Sequence, residues 1–317
     1  MMSHRMICRD TTCRVPTRNT SRRASLVLSI LLLVTLATAA VRPDSQVDGA
    51  TLKLMTYNIR YDNPGDGINS WEHRKEIVSS LISFHGADIV CIQEGLIQQV
   101  RYLQGALNGF TYCGVGRDDG KEAGEYSAIF YRRDIFDLIA DSTFWLSPTP
   151  SRPSKGWDAA LPRIVTWAHF RVRTSGRSFF VFNTHFDHMG EFARRESARL
   201  LLSQLPRIAG NEPAIVSGDF NSTDQDSAYQ ILVRAVAGKV LLKDSYFISR
   251  LPHYGVASTF FGFDARTQEA GQRIDFVFVT AGITVLRHGT LTDFSDGRFP
   301  SDHLPVLVEL TFTDPIR

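Results

Sequence analysis

Five short strings spread over most of this chain each end in a group able to hold a divalent metal or a phosphate. They are Thr56-Tyr57-Asn58-Ile59-Arg60, Ile92-Gln93-Glu94, Asn183-Thr184-His185, Ser217-Gly218-Asp219-Phe220-Asn221 and Ser301-Asp302-His303. A sixth, Arg273-Ile274-Asp275-Phe276, lies between the last two. Most of these polar groups close an apolar run that reads as a buried strand: Leu52–Tyr57, Asp88–Ile92, Phe179–Phe182 and Ala214–Val216. In sheet proteins with interleaved helices, sites form where strand ends and their loops converge over a rigid scaffold. Such a chain offers Asn58, Glu94, His185, Asp219, Asn221, Asp275, Asp302 and His303 at neighbouring strand mouths. Oxygen donors of this kind suit a hard cation, Mg²⁺ or Mn²⁺. No Cys/His spacing calls for zinc.

The elements that must carry these groups are legible as strands and helices in alternation. Leu52–Ile59 reads as a strand, and Asn69-Ser70 as the cap of a helix over Trp71–Phe84 that Gly86 ends. Ala87–Gln93 is the next strand and Gln98–Leu107 a second helix. Ser127–Tyr131, Asp137–Trp145, Arg163–Val172 and Phe179–His185 follow as strands. Glu191–Ala209 reads as a helix, Ala214–Ser217 as a strand and Ser227–Ala237 as a helix. Arg273–Val279, Ile283–His288 and Leu304–Phe312 close the chain as strands. Strands outnumber helices and the two interleave, which predicts two sheets packed face to face with helices outside.

The 317-residue composition, with 43% hydrophobic and 21% charged residues, is that of a globular protein. Neither a repeat nor a Pro/Gly/Ser-rich linker divides it after residue 50, so one domain is expected. Residues 1–25 carry Arg5, Arg9, Arg14, Arg18, Arg22 and Arg23 against the single acid Asp10, and Leu26–Val41 is uncharged and mostly apolar. Ala37-Thr38-Ala39-Ala40 resembles a small-residue cleavage site, so residues 1–40 read as a signal peptide or an N-terminal membrane anchor. Ser21-Arg22-Arg23 also resembles a twin-arginine signal. Residues 1–40 hold six of the 35 Lys+Arg and one of the 33 Asp+Glu; the remainder has 29 basic and 32 acidic groups, a formal net of −3. The apparent basicity is therefore the leader's, and a strongly basic face for long nucleic acid is not expected. Beyond the leader only Cys91 and Cys113 remain, read as buried hydrophobes or an exported protein's disulfide.

Gly218-Asp219-Phe220-Asn221 with Ser301-Asp302-His303, in order after Gln93-Glu94, resembles the exonuclease–endonuclease–phosphatase superfamily, the pancreatic deoxyribonuclease-like fold. The resemblance covers about residues 50–312. It implies a four-layer α/β/β/α sandwich of two packed mixed sheets with outer helices, and metal-dependent phosphoester hydrolysis. Further strings resemble an often exported subgroup: Asp62-Asn63, Trp71 with Arg74, Phe144-Trp145-Leu146-Ser147, Gly156-Trp157-Asp158-Ala159 and Phe186-Asp187-His188-Met189-Gly190. By this resemblance Asn58 and Glu94 are the metal pair and Asp302 a second metal-side carboxylate. Asp219 contacts or orients the attacking water, and Asn221 positions the water or the phosphate. His303 contacts the scissile phosphate and Asp275 orients it; Asn183 is a neighbouring phosphate-site residue. His185 stands where some branches carry tyrosine. Two histidines flanking one phosphate allow one to act as base and the other as acid, in either order.

The remaining candidates have two readings each. Asp187 and His188 are substrate contacts or loop-capping groups. Arg60, Arg74 and Arg163 bind a second anionic group or make structural ion pairs. Trp157 is a sugar or base platform or a core residue, and Lys121–Glu125 and Ser147–Asp158 are the expected specificity rim. The expected protein is a monomeric, exported, Mg²⁺- or Mn²⁺-dependent phosphodiesterase, with membrane contact only through an N-terminal anchor. The expected substrates are extracellular DNA or RNA, sphingomyelin- or phosphoinositide-type head groups, or soluble phospho-sugars and cyclitols. An inactive binding module is disfavoured because Glu94, Asp219 and His303 are all present.

Overall fold

The computed structural model describes residues 51–234, 241–264, 271–295 and 297–313. The leader expected over residues 1–40 lies outside the described residues. In chain order the strands are β1 Leu52–Asn58, β2 Ile89–Gln93, β3 Phe110–Cys113, β4 Ile129–Arg132, β5 Phe136–Trp145 and β6 Ile164–Val172, followed by β7 Ser178–His185, β8 Ala214–Asp219, β9 Lys243–Asp244, β10 Asp275–Val279, β11 Ile283–Thr290 and β12 Val306–Phe312. The helices are α1 Trp71–His85, α2 Ile97–Ala106, α3 Glu191–Ala209, α4 Ser227–Val233 and the single turn α5 Ser245–Ile248. One six-stranded sheet runs β11-β12-β1-β2-β4-β3 and the other β5-β6-β7-β8-β10-β9. Both are mixed: β1–β2 and β7–β8 are parallel, and the other pairs antiparallel. Helices α1 and α3 make the crossovers that parallel neighbours require.

Three apolar clusters account for the layers. Leu52, Leu54, Ile89 and Cys91 of the first sheet meet Phe179, Val181, Ile215 and Val277 of the second in the central core. Met55, Tyr57, Val90 and Ile92 face the other way and pack on Val78 and Leu81 of α1 and Val100 and Leu103 of α2. Phe180, Phe182, Val216, Phe276 and Phe278 likewise pack on Ala198 and Leu201 of α3 and Tyr229 of α4. The period of two along each strand thus assigns one face to the partner sheet and one to a helix layer, giving the α/β/β/α sandwich. Cys91 and Cys113 are buried free thiols, so the disulfide alternative is removed.

The inward-facing positions change character along their strands. On β1 they run Leu52, Leu54, Thr56, Asn58; on β2, Ile89, Cys91, Gln93; on β7, Phe179, Val181, Asn183, His185; on β8, Ile215, Ser217, Asp219. An apolar floor passes through a polar layer into charged groups at the mouth. The polar layer is bonded internally: Gln93 Nε2 donates to Thr56 Oγ1 at 3.1 Å within its sheet and to Asn183 Oδ1 at 2.7 Å, joining the two sheets. The helix expected to reach Ala237 ends at Val233, and residues 235–240 lie outside the described residues. Strands β3 and β9, helix α5 and a 3-10 turn at Pro64–Asn69 had no sequence expectation.

Candidate active site

Strand β8 is the hub of the site. Asp219 sits opposite His185 of β7 on one side and opposite Asp275 of β10 on the other. Sheet spacing alone therefore brings three titratable groups together. Gly218 permits this. Its φ is +146°, and a Cβ there would lie 2.0 Å from the carbonyl oxygen of Thr184 on β7. Asn58, at the end of β1, reaches across from the opposing sheet: its Nδ2 donates to Glu94 Oε1 and Asp219 Oδ2, both at 3.0 Å, and lies 3.3 Å from His303 Nε2. Glu94 follows β2 with φ +63° and Asn221 follows β8 with φ +44°. Such backbone strain in non-glycine residues concentrates at functional sites.

These groups wall a cleft of about 470 Å³, which Glu94, His185, Asp219, Asn221, Asp302 and His303 line together with Arg60, Arg163 and His188. Asn58 and Asp275 are buried behind this lining and contact Asp219 and His303. His303 Nδ1 lies 2.9 Å from Asp275 Oδ2, and the Phe260 ring packs on the imidazole at 4.9 Å. Burial alone would lower His303, but the Asp275, Asp219 and Asp302 carboxylates outweigh it and push it up to about 10. Burial and the facing Asp275 charge raise Asp219 to about 7, against the opposing pull of His303 and the hydrogen bonds from Asn221 and Asn58. His185 is held well below its ordinary value, by burial first and then by the charges of Arg163 and Arg117. Its Nε2 faces Asn221 Nδ2 at 3.0 Å, and that amide also donates to the Phe186 carbonyl. Nε2 is thereby the acceptor, and the hydrogen of the neutral ring sits on Nδ1, 3.8 Å from Glu125 Oε2.

The donor set fits a hard cation. Glu94 and Asp302 face the cleft, and among the described residues Arg60, half-buried, is the cation near both, at 4.0 and 3.8 Å. Metal-ligating atoms of Glu94, His185 and Asp219 lie within 4.8 Å of one another, as do those of Asp219, Asp275 and His303. Asn58 is turned with its nitrogen to the carboxylates while its Oδ1 accepts from the Arg60 N–H at 3.0 Å, so an oxygen-ligand role requires the amide to turn over.

One sequence expectation is corrected, and one open alternative is decided. Asn183 does not line the cleft: its Nδ2 donates to the Ile92 and Ala128 carbonyls at 2.8 and 2.9 Å, and it belongs to the inter-sheet polar layer. Asp187 caps a loop, accepting from Ala160, Met189 and Gly190 N–H groups at 2.8–3.0 Å. Burial alone would raise Asp187, but these backbone donors and Arg163 bring it down to about 2. Arg74 is also structural. It is fully buried and donates to the Ile59 and Pro300 carbonyls at 2.8 and 2.7 Å, clamping the Asp302 loop onto β1. Arg60 is paired with Asp66 at 3.0 Å at the cleft edge. Trp145 is a core residue whose Nε1 donates to the Arg117 carbonyl at 2.7 Å, and Trp157 is half-buried and outside the cleft. Sequence reasoning missed Phe260 and Gln272 in the wall. It reached Glu125 only as part of the expected rim loop.

Comparison with known proteins agrees with this geometry. Residues 55–303 match the Endonuclease/Exonuclease/phosphatase family. An endonuclease/exonuclease/phosphatase family protein of Bacteroides thetaiotaomicron is 41% identical, with a TM-score of 0.79 over 84% of this chain and 99% of that one. A mannosyl-6-phosphatase of the same organism is also 41% identical, with a TM-score of 0.77 over 82% of this chain and 100% of that one. Nocturnin of Drosophila melanogaster is 27% identical over 213 residues, 59% of this chain; the match spans 31% of that relative's length. Family match, sheet order and convergent acids and histidines agree, and the chain belongs to the endonuclease/exonuclease/phosphatase family of metal-dependent phosphoesterases.

Proposed function

We propose that this protein is a Mg²⁺-dependent hydrolase of a small phosphate monoester, a phosphorylated sugar or related alcohol, acting outside the cytoplasm as a monomer. The observation that carries the reading is one compact cleft in which charged His303, raised Asp219 and neutral His185 face each other beside Glu94 and Asp302. Only Arg60 and Arg163 among its wall residues are arginines, none is lysine, and both arginines lie against carboxylates. A polynucleotide track needs repeated unpaired cations along a groove. The 41% identity to a mannosyl-6-phosphatase supports a monoester over the diester that the histidine pair alone favoured. Export is proposed from the arginine-rich, then apolar, N-terminal segment.

Glu94 and Asp302, with Asn58 beside them, would hold the cation, which when bound supplies charge neutralisation at the phosphate oxygens. Asp219, raised toward neutral pH, accepts the proton of the attacking water, and His185 holds the Asn221 amide in place beside it. His303 carries its proton through neutral pH and presents it to a phosphate or leaving-group oxygen, held in place by Asp275. The test is a substrate panel of sugar monophosphates, p-nitrophenyl phosphate, bis-p-nitrophenyl phosphate, DNA and RNA, with Mg²⁺, Mn²⁺ or EDTA. Turnover of monoesters above diesters, lost in EDTA, is expected; diester turnover without monoester turnover overturns the reading. N-terminal sequencing of the native protein checks export, and a cytosolic protein starting at Met1 removes that part.

A further inference from the structure

The wall of the cleft beyond His185 is built from Arg163, His188 and Glu125, and each is held in place by groups below it. Arg163 is 4% exposed. Its Nε donates to Asp187 Oδ2 at 3.3 Å and its Nη2 lies 2.9 Å from His188 Nδ1. Its Nη1 is buried and has no hydrogen-bond partner among the described residues. Glu125 is clamped by both terminal nitrogens of Arg117, at 2.6 and 2.8 Å. His188 is exposed, and because its Nδ1 accepts from Arg163, its Nε2 carries the free hydrogen of the neutral ring.

The charges of this wall cancel: Arg163 is matched by Asp187 and Arg117 by Glu125. A balanced wall offers no net attraction to a second anion, whose desolvation would go uncompensated. It does offer fixed donors on Arg163 and His188 beside the acceptor oxygens of Glu125. A hydroxyl group, which donates and accepts at once, satisfies such a set.

We propose that Arg163, His188 and Glu125 form the specificity wall of the cleft and bind the hydroxyl groups of a polyhydroxylated alcohol, so that the substrate is a singly phosphorylated sugar or cyclitol without a second anionic group. The inference rests on the monoesterase reading above and deepens it. Of the two sequence readings of Arg163, it sets aside the binding of a second anion, because Asp187 already neutralises the guanidinium.

The experiment measures kcat/KM with Mg²⁺ for mannose 6-phosphate, the 1,6-bisphosphate of the same hexose and p-nitrophenyl phosphate, which has no hydroxyls. The wild type, Arg163→Met, Arg163→Lys and His188→Ala are compared, with thermal melting as the check on folding. The wild type is expected to favour the singly phosphorylated sugar over both alternatives by at least about tenfold, the size of one or two hydrogen bonds. Arg163→Met is expected to cut the sugar-to-nitrophenyl ratio at least about tenfold, mainly through KM, with Arg163→Lys intermediate. His188→Ala, at an exposed position, is expected to cut the same ratio several-fold, and it stands as the test if Arg163→Met fails to fold. Preference for the bisphosphate, or an unchanged ratio in folded variants, overturns the inference while leaving the monoesterase reading intact. Turnover of diesters alone overturns both.

Discussion

At the scale of single residues, the two histidines of the site have different neighbours, and the proposed mechanism gives them different work. His303 has a buried carboxylate at 2.9 Å, whereas His185 has an amide donor on Nε2 and two guanidinium charges nearby. His185→Ala and His303→Ala should each lower kcat by at least about 10²-fold with the fold intact. The double variant should fall by less than the product of the single losses, because both groups act on one transition state. Retention of most activity by His185→Gln from pH 5 to 9 would remove His185 from the chemistry. Far from the site, His288 is buried against His253, whose Nδ1 lies 2.9 Å from its own. Burial, then the charges of His253 and Arg273, lower His288 to about 3. The folded value lies below the unfolded one, so this contribution to stability is intact above about pH 6.5 and is lost as pH falls toward 3. Unfolding free energy should lose about 1.4 kcal/mol per pH unit in that window from this group. Denaturant titrations of wild type and His288→Asn should show the smaller slope in the variant, and NMR should find His288 unprotonated at pH 5.

At the scale of elements, the site depends on two close approaches. Gly218 brings β8 against the Thr184 carbonyl of β7, which aligns Asp219 with His185. Gly218→Ala should therefore lower kcat and melting temperature together, because a Cβ 2.0 Å from a backbone oxygen forces β7 and β8 apart. Arg74 clamps the loop that presents Asp302 and His303 onto β1. Arg74→Ala should cost about 3 kcal/mol or more, since several buried carbonyls lose their donor. Chemical denaturation measures it, and a change within about 0.5 kcal/mol, ordinary for surface positions, would contradict the role. Strand β1 and helix α3 were readable to within a residue because period-two and period-3.6 patterns are strong over seven and nineteen residues. Strand β9 spans two residues, a length at which periodicity carries no signal, and β3 only four. The Asn183 expectation failed, and Asp187 stayed open between two readings, for a related reason: a polar residue beside a strand end reads alike whether its partners are substrate atoms or backbone groups.

At the scale of the whole molecule, the site is a seam between two sheets. Asn58 ends β1, Glu94 directly follows β2 and Asp302 lies in the loop between β11 and β12, all on the first sheet's side, whereas His185, Asp219 and Asp275 lie on β7, β8 and β10 of the second sheet. Gathering this many carboxylates costs folding energy that a cation would relieve. Purified protein should accordingly lose phosphoesterase activity in EDTA and regain it with Mg²⁺ or Mn²⁺. Its melting temperature should rise with metal, and the rise should shrink in a Glu94→Gln variant. Full activity with metal content near zero would contradict this.

The sequence by itself determined the longer strands, the alternation that gives each one a core face, and the polar groups that end the core-facing series at Asn58, His185 and Asp219. Those follow from local chemistry, because side-chain direction along a strand is set by the backbone. Partnership was decided only in three dimensions. Hydrogen-bond registers between strands distant in sequence put Asp219 between His185 and Asp275. They sank Asn183 into the inter-sheet layer and spent Asp187 on a loop. They also placed Glu125, some sixty residues from His185 along the chain, within 3.8 Å of its ring. The charge state of each group follows from those neighbours and its burial, which only the tertiary structure supplies.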